Sequence, residues 1–330
     1  MYCQYANVNW LLEVPAGIRW CIPGRLNAAF LPRFIPKKCK AHRPMTPIFF
    51  SPKQVADHRF ISIDKLSAFI EGAKRPTVEP EPFEPSDYLL AHDDDYVRGI
   101  LTLRTLNGFG TRSESINRAL SYSNASMWAA TEHVLKHGGL ACSASQGFHH
   151  ASYASNFGYC TFNGLVIAAR KAIAHGVERV LVIDGDAHFG DGTESCLTVL
   201  RLKSKVINVT RDQGIGSDQA NLDVSGWYRY TCELIKRHRP GVVLYQAGAD
   251  AWEGDPYGSG YLNFEALGYR DAGIFSAAIH HGVPLSWNLA GGYSEPMDKT
   301  VAIHLQTLAA SDSLMKNRIV RKVLDLSSPV

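Results

Sequence analysis

Four side chains that can bind a metal ion or move a proton follow one apolar run near the middle of the chain. The run covers residues 180–183, and after it come Asp184, Asp186, His188 and Asp191. Such a run is typical of a strand buried on both faces of a parallel sheet. Asp186 and His188 are two apart on an extended backbone, so they point to the same side and can bind one metal ion. The alternative is a strand-end turn in which an aspartate caps the following helix.

Two adjacent histidines, His149 and His150, follow a short predicted strand at 140–143. A single histidine is more often a satisfied core or surface residue, but a pair beside glycine at a strand end favours proton transfer. One histidine can take a proton from metal-bound water while the other stabilises charge. Each then needs a carboxylate on its far ring nitrogen, and Asp184 and Asp191 are available for that.

Two further strand ends carry polar side chains. The apolar run at 242–246 is followed by Asp250, which completes a set of one histidine and two carboxylates, as a catalytic zinc site requires. Tyr293 follows the run at 284–289 on a Gly-Gly turn. We interpret its hydroxyl as a hydrogen-bond donor to a developing oxyanion, with a core aromatic as the alternative.

These residues need a scaffold of alternating strands and helices. Besides the strands above, the pattern predicts strands at 47–50 and 205–209. It predicts helices at 62–73, 94–103, 113–136, 163–174, 226–236, 264–281 and 301–310. This alternation indicates an α/β fold, a single domain with a central parallel sheet flanked by helices on both faces. Ligands of such sheets bind outside the carboxyl ends of the strands, where the candidate residues lie.

The N-terminal segment differs from the rest of the chain. Of 330 residues 45% are hydrophobic, enough to bury the core of one large or two smaller domains. Residues 1–44 contain seven lysines or arginines, one acid and five prolines. We expect 1–44 to be a basic, proline-containing extension, poorly ordered or a misassigned start, and 45–330 to be the catalytic domain. A presequence fits less well, because the segment is poor in serine and lacks a cleavage site.

Charge and cysteine usage narrow the function classes. Beyond residue 44 the net charge is −3, which is the total of +3 less the +6 of residues 1–44, and a nearly neutral body argues against nucleic-acid binding. The seven cysteines form no CxxC pair, which fits a reducing, cytoplasmic location and does not fit a disulfide framework or a cysteine zinc site. No apolar run reaches the roughly 20 residues that a membrane-spanning helix needs.

Six motifs resemble the histone deacetylase superfamily, in its bacterial branch with acetoin-utilization-type proteins. They are NGFGTRS at 107–113, GFHHA at 147–151, GYCTFNG at 158–164, DGDAHFGDGT at 184–193, YQAGAD at 245–250 and LAGGY at 289–293. Their order is that of the family, and jointly they are very specific. The resemblance implies an arginase/deacetylase fold and a zinc-dependent amidohydrolase that removes an acetyl or related acyl group from an amine or a lysine.

The resemblance implies ions as well. It implies one zinc ion per chain, held by Asp186, His188 and Asp250, and a ligand set with two carboxylates also tolerates ferrous iron. It also implies a potassium ion near the zinc, which would be bound by Asp184 and by backbone carbonyls of Asp186, His188 and Thr210.

Roles of the other site residues follow from the same resemblance. Asp184 stands behind His149 and Asp191 behind His150, while Tyr293 polarises the acyl carbonyl. The substrate is contacted by Gly158, Tyr159 and Tyr257.

The chain departs from the family pattern at three places. Phe189 replaces a histidine that is common in the family but is not a ligand, so the site survives. The loop at 110–112 lacks the acid that grips the substrate backbone in lysine deacetylases. The segment 211–224 is short and lacks the aromatic residue expected to form one wall of a lysine channel. We therefore expect small acylated amines to be better substrates than acetyl-lysine peptides.

Two other functions were open on this fold. An arginase-type ureohydrolase needs two bridged metals, but Gly190 and Trp252 stand where its additional acids are required. A catalytically silent protein that binds acyl-amines would have lost a ligand, a histidine or the tyrosine, and all are present. The expected partners are the small acylated amine or acetyl-lysine substrate, with no nucleic acid and no membrane, and a homo-oligomer is compatible with the chain.

Overall fold

The computed structural model describes residues 45–57, 60–215, 217–219, 221–258 and 260–326, with side chains up to residue 316. The predicted N-terminal extension at 1–44 lies outside the described residues, so the boundary at residue 45 stays a prediction.

One parallel sheet runs through this part of the chain. Its seven strands are β1 (Ile48–Phe49), β2 (Leu140–Ser143), β3 (Val180–Asp184), β4 (Val206–Arg211), β5 (Gly214–Ile215), β6 (Val242–Gln246) and β7 (Leu285–Asn288). Across the sheet the order is β1-β2-β7-β6-β3-β4-β5, with all neighbours parallel. The strands β2, β7, β6 and β3, which precede the candidate residues, are therefore adjacent in the sheet.

Helices connect these strands. They are α1 (Ile61–Ala73), α2 (Pro85–Tyr88), α3 (Asp94–Leu101), α4 (Glu114–His137), α5 (Gly164–Ala174), α6 (Asp191–Val199), α7 (Val224–His238), α8 (Phe264–His281) and α9 (Asp298–Leu326). No helix in the described ranges is both long and apolar enough to cross a membrane.

Side-chain caps explain where several helices begin. The side chains of Ser113, Asn163, Asp223 and Asn263 each accept a hydrogen bond from a backbone N–H in the first turn of α4, α5, α7 and α8. These caps satisfy donors that a helix start leaves without a partner. They also explain why the predicted starts of these helices lie within two residues of the observed ones.

Alternate residues of each central strand point to opposite helical layers. In β3, Val180 and Val182 pack in one apolar cluster with residues of α4 and α5. Leu181 and Ile183 pack in a second cluster with residues of α1, α7, α8 and α9. The prediction of a parallel sheet covered by helices on both faces is thus confirmed.

Four elements differ from the predictions. Helix α2 has four residues and was not predicted. Helix α9 begins at Asp298 and continues to Leu326, well past the predicted end at residue 310. Beyond that position Leu314 and Met315 still pack against the second apolar cluster. Helix α6 was not predicted, since Gly192 and its β-branched residues lower helix propensity. Strand β5 has two residues, too few for an alternating pattern.

Candidate metal centre and active site

Asp186, His188 and Asp250 meet where β3 and β6 end. One ligand atom from each lies within 4.8 Å of the others, and within the described residues this is the one such group of three. His188 Nδ1 lies 3.0 Å from Asp186 Oδ1 and 3.2 Å from Asp250 Oδ2. The group forms because Asp184 and Gln246 pair in the parallel register of β3 and β6, which brings the segments that follow them together.

The chemistry of this group fits a divalent cation. The side chains of Asp186 and Asp250 are 3% and 0% exposed, so two negative charges lie close together away from water. Burial and the neighbouring Asp186 carboxylate raise the pKa of Asp250 to about 7. A divalent ion removes that repulsion, and one imidazole with two carboxylates suits zinc or ferrous iron.

Backbone groups hold the two carboxylates in place. The N–H of Gly291 donates to Asp186 Oδ2 at 3.0 Å, and the N–H of Ala187 donates to Asp250 Oδ1 at 3.0 Å. A Cβ atom at Gly291 would lie 2.1 Å from Asp250 Oδ2. The turn after β7 therefore approaches the carboxylates so closely that it has no room for a side chain.

The two histidines each bind one aspartate through Nδ1. His149 Nδ1 lies 2.7 Å from Asp184 Oδ2, and His150 Nδ1 lies 2.6 Å from Asp191 Oδ1. An ionised carboxylate only accepts hydrogen bonds, so each Nδ1 carries the donated proton and each Nε2 is left for other chemistry. The two rings are tilted by 52° relative to each other, with centroids 4.1 Å apart.

The two histidine–aspartate pairs differ in exposure. The Asp184 side chain is 0% exposed, whereas the Asp191 side chain, at the start of α6, is 52% exposed. Burial lowers the pKa of His149, but the nearby carboxylates outweigh it and raise this pKa to about 9. Burial and the charge of His149 lower the pKa of His150. Without a metal ion, the chain therefore favours a charged His149 and a neutral His150. A cation in the metal centre would oppose the charge on His149.

Asp184 is fully satisfied by hydrogen bonds. Besides His149, its carboxylate accepts from Gln246 Nε2 at 3.0 Å, from the Asp186 N–H at 3.3 Å and from Thr210 Oγ1 at 3.5 Å. The structure thus brings together Asp184 and Thr210, the residues expected to be near potassium, and the ion itself stays a prediction.

Tyr293 lies beside the metal centre with its ring among other aromatic residues. Its centroid is 5.7 Å from that of Tyr159 and 5.3 Å from that of Tyr257. Burial and the charges of Asp250 and Asp186 raise the pKa of Tyr293 well above its usual value, so its hydroxyl keeps its proton. Tyr257 is 60% exposed, and its carbonyl accepts a hydrogen bond from His188 Nε2 at 2.8 Å.

Gly158 lies against His150, and the Tyr159 ring lies beside the Tyr293 ring. Gly158 and Tyr159 both have left-handed backbone conformations, with φ of 53° and 64°. A Cβ at Gly158 would lie 2.7 Å from His150 Cδ2, so glycine is required both by its backbone and by this contact. The Tyr159 N–H donates to the carbonyl of Gly108 at 3.0 Å, which supports the unusual backbone. All three residues predicted to contact substrate therefore surround the metal centre.

Two cavities open beside the site. The first, of about 630 Å³, is lined by residues that include Trp252, Tyr257, Tyr293, Glu295 and Asp298. The second, of about 430 Å³, is lined by His150, Ala187, His188, Phe189, Asp191, Arg211 and Asp212. Arg211 belongs to the segment 211–224, which was expected to lack an aromatic wall, and it forms part of the wall of this second cavity. Its guanidinium lies 4.3 Å from the Tyr261 ring centroid.

Sequence reasoning missed two charged residues near the site. Lys65 of α1 is 0% exposed, donates to the carbonyl of Ala290 and lies 5.4 Å from the Tyr293 ring centroid. Burial lowers the pKa of Lys65 to about 8. Asp255 accepts the Tyr293 N–H at 2.7 Å. No sequence signal indicates either residue, because a lysine in a helix and an aspartate in a loop are usually solvent-exposed.

Most of the chain matches the model of one protein family. The family model described as the histone deacetylase domain matches residues 55–204 and 198–308. The chain belongs to this family. Membership supports a hydrolase of the deacetylase type, and members of the family are typically metal-dependent.

Individual relatives are distant. An uncharacterized protein of Picosynechococcus sp. is 28% identical over 235 residues, which cover 65% of this chain and 78% of that protein. Histone deacetylase 2 of Oryza sativa subsp. japonica is 28% identical over 267 residues, which cover 67% of this chain and 50% of that protein. The chain therefore spans about half the length of this plant relative.

Solved structures share the fold. The HD domain of HDA15 aligns with a TM-score of 0.65 at 16% identity, over 86% of this chain and 97% of that one. The acetylpolyamine aminohydrolase from Burkholderia pseudomallei aligns with a TM-score of 0.64 at 18% identity, over 82% of this chain and 99% of that one.

Proposed function

We propose that this protein is a zinc-dependent amidohydrolase that removes an acetyl or related acyl group from an amine. One observation carries the proposal: the ends of four adjacent strands bring the group of Asp186, His188 and Asp250 together with two histidine–aspartate pairs and the Tyr293 ring. Each part has a distinct use in amide hydrolysis, and membership in the family supports the same reaction class.

Zinc and His150 would have different roles in the reaction. Zinc held by Asp186, His188 and Asp250 would polarise the acyl carbonyl and lower the pKa of a bound water. His150 Nε2 takes the proton of the attacking water, since this imidazole is the neutral one, and then gives the proton to the leaving amine. Asp191, on Nδ1 of His150, stabilises the imidazolium between these two steps.

Tyr293 and His149 act on developing charge. The Tyr293 hydroxyl donates a hydrogen bond to the carbonyl oxygen as it becomes an oxyanion. Its raised pKa keeps the proton on the donor throughout the reaction. His149 stays oriented by Asp184 and contributes positive charge or a hydrogen bond on the inner side of the site.

The substrate is proposed to be a small acylated amine. The cavity of about 630 Å³ adjoins Tyr293 and is lined by two acids, Glu295 and Asp298, and one base, Lys299. The excess of acids favours an amine with a second positive charge. The structural neighbour from Burkholderia pseudomallei is named an acetylpolyamine aminohydrolase, which agrees with this choice. The loop at 110–112 offers no acid to grip a peptide backbone.

We also propose a bound potassium ion and a cytoplasmic location. A potassium ion near Asp184 and Thr210 is included because both residues meet beside the metal centre. A cytoplasmic location is included because Cys142, Cys160 and Cys196 are free, buried thiols, as expected in a reducing compartment.

The test is an acyl-amine panel with the zinc-loaded protein. N-acetylated monoamines, N-acetylated diamines and acetyl-lysine peptides are compared by kcat/KM, with Asp250→Ala as the metal-deficient control. We expect the diamines to be the best substrates and the control to be inactive and zinc-free. A folded, zinc-loaded protein that hydrolyses none of these amides would refute the proposal. Two tightly bound metals per chain with release of urea from guanidino compounds would favour a ureohydrolase instead.

A further inference from the structure

A buried arginine lies on the far side of the turn that carries the candidate ligands. Arg270 belongs to α8 and is 0% exposed. Its Nη1 donates to the carbonyl of Gly185 at 2.7 Å, and its Nε donates to Asp271 Oδ1 at 2.9 Å. Gly185 stands between Asp184 and Asp186, so the guanidinium binds the backbone between two residues of the site.

Asp271 fixes the direction of this guanidinium. The Asp271 carboxylate also accepts hydrogen bonds from Tyr245 OH and, at 2.5 Å, from Thr307 Oγ1. Tyr245 belongs to β6 and Thr307 to α9, so the pair is tied to the sheet and to a second helix. The planar guanidinium therefore has little freedom to rotate away from Gly185.

The contact with Gly185 determines one peptide plane. In a trans peptide the carbonyl of Gly185 and the N–H of Asp186 point in opposite directions. When Arg270 holds the carbonyl, the N–H is turned toward Asp184 Oδ1, where it lies at 3.3 Å. The N–H of Gly185 is held in turn by the carbonyl of Gln246 at 2.9 Å. Without the arginine, the glycine would leave this plane free to turn.

Stability alone is a weak reason for an arginine at this place. Burying an ion pair costs several kcal/mol in desolvation, and replacing both partners with well-packed apolar residues is often as stable. Arg270 Nη2 is buried with no hydrogen-bond partner among the described residues, which adds to that cost. An apolar pair in place of Arg270 and Asp271 could not replace the hydrogen bond to the Gly185 carbonyl.

We propose that Arg270 is a positioning residue of the metal centre, which uses one guanidinium nitrogen for Asp271 and another for Gly185 to hold the peptide plane before Asp186. The inference rests on the proposed metal site and extends it to a residue that touches neither metal nor substrate. Loss of an interaction that orients a ligand typically weakens metal binding by about 10- to 100-fold.

The experiment measures zinc affinity rather than turnover. Zinc is titrated in competition with a chelator into the parent, Arg270→Met and Arg270→Lys, and the visible spectrum of each Co²⁺-substituted protein is recorded. We expect Arg270→Met to bind zinc about 10- to 100-fold more weakly with an altered Co²⁺ spectrum. Arg270→Lys keeps the charge but not the two-nitrogen geometry, so we expect it to be weakened as well, by about 10-fold.

Arg75 supplies the matched control. Its Nη1 forms an ion pair with Asp312 at 2.8 Å, and the two side chains are 8% and 17% exposed. Two of its nitrogens, Nε and Nη2, are buried without a partner among the described residues. Arg75→Met should lower the unfolding temperature and leave zinc affinity and the Co²⁺ spectrum unchanged.

The outcomes separate this inference from the proposed function. A folded Arg270→Met with parental zinc affinity and spectrum overturns the positioning role. If Arg270→Met does not fold, the lysine variant decides, and parental affinity in Arg270→Lys overturns the role. A parent chain that binds no zinc would instead contradict the proposed function itself.

Discussion

A buried histidine away from the metal centre should make the fold sensitive to acid. His92 is 2% exposed, and its Nε2 accepts the N–H of Asn163 at 2.8 Å. Its Nδ1 therefore carries the proton and donates to the carbonyl of Ser152 at 2.9 Å. Protonation of Nε2 would break the first bond and place a charge away from water. Burial accordingly lowers the pKa of His92 from 6.5 to about 4.

The sign and size of the effect follow from that shift. A depressed pKa in the folded state means that the unfolded chain binds the proton first, so stability is complete above pH 6.5 and is lost as the pH falls toward 4. With about 1.4 kcal/mol for each pKa unit, the loss between pH 7.5 and 4.5 is about 2.5 kcal/mol. This is a large share of the stability of an ordinary domain.

The assay is urea unfolding of parent and His92→Gln, both stripped of metal, at pH 7.5 and 4.5. Glutamine can accept from Asn163 and donate to Ser152 without titrating. The free energy of unfolding of the parent, minus that of the variant, should therefore fall by about 2.5 kcal/mol from the higher to the lower pH. A difference that is the same at both pH values would refute the reasoning.

Three further outcomes are expected. Tyr293→Phe should retain zinc and fold while kcat falls by roughly 100-fold or more and KM changes much less, and unchanged kcat would remove the oxyanion role. Gly291→Ala should lose zinc, measured by elemental analysis, because the new Cβ would lie 2.1 Å from Asp250 Oδ2, and a zinc content equal to the parent's would contradict the described approach. A chain that begins at Met45 should fold and match the parent in kcat/KM, and a folded but inactive product would give the segment 1–44 a role in the site.

Much of the site follows from the sequence because chain order and parallel strands constrain it. Asp186, His188 and Asp250 each follow an apolar run, and parallel strands end at the same edge of a sheet. The partners of the histidines were equally accessible, since Asp184 and Asp191 belong to the same motif as the ligands.

The remaining features depend on packing that no local pattern records. Lys65 lies 225 positions from the carbonyl that it contacts, and Arg270 lies 85 positions from Gly185. Both are charged residues of helices, which ordinarily face water, and only the close approach of α1 and α8 to the strand ends shows otherwise. Helix α6 was missed because its stability comes from burial of Cys196 and Leu197 rather than from helix propensity.

The two edges of the sheet have a consequence for self-association. The edge strands β1 and β5 have two residues each, whereas the interior strands have four to six. On the β1 side the backbone of Val78 already bonds to Ile48 and Phe50. At this edge of the described sheet, another copy of the chain would therefore find few free backbone donors or acceptors, which guards against fibre-like growth through β1. At the other edge, within the described ranges, β5 pairs only with Thr210 and Arg211 of β4, so a second copy that extended the sheet there would have to pair with residues 206–209.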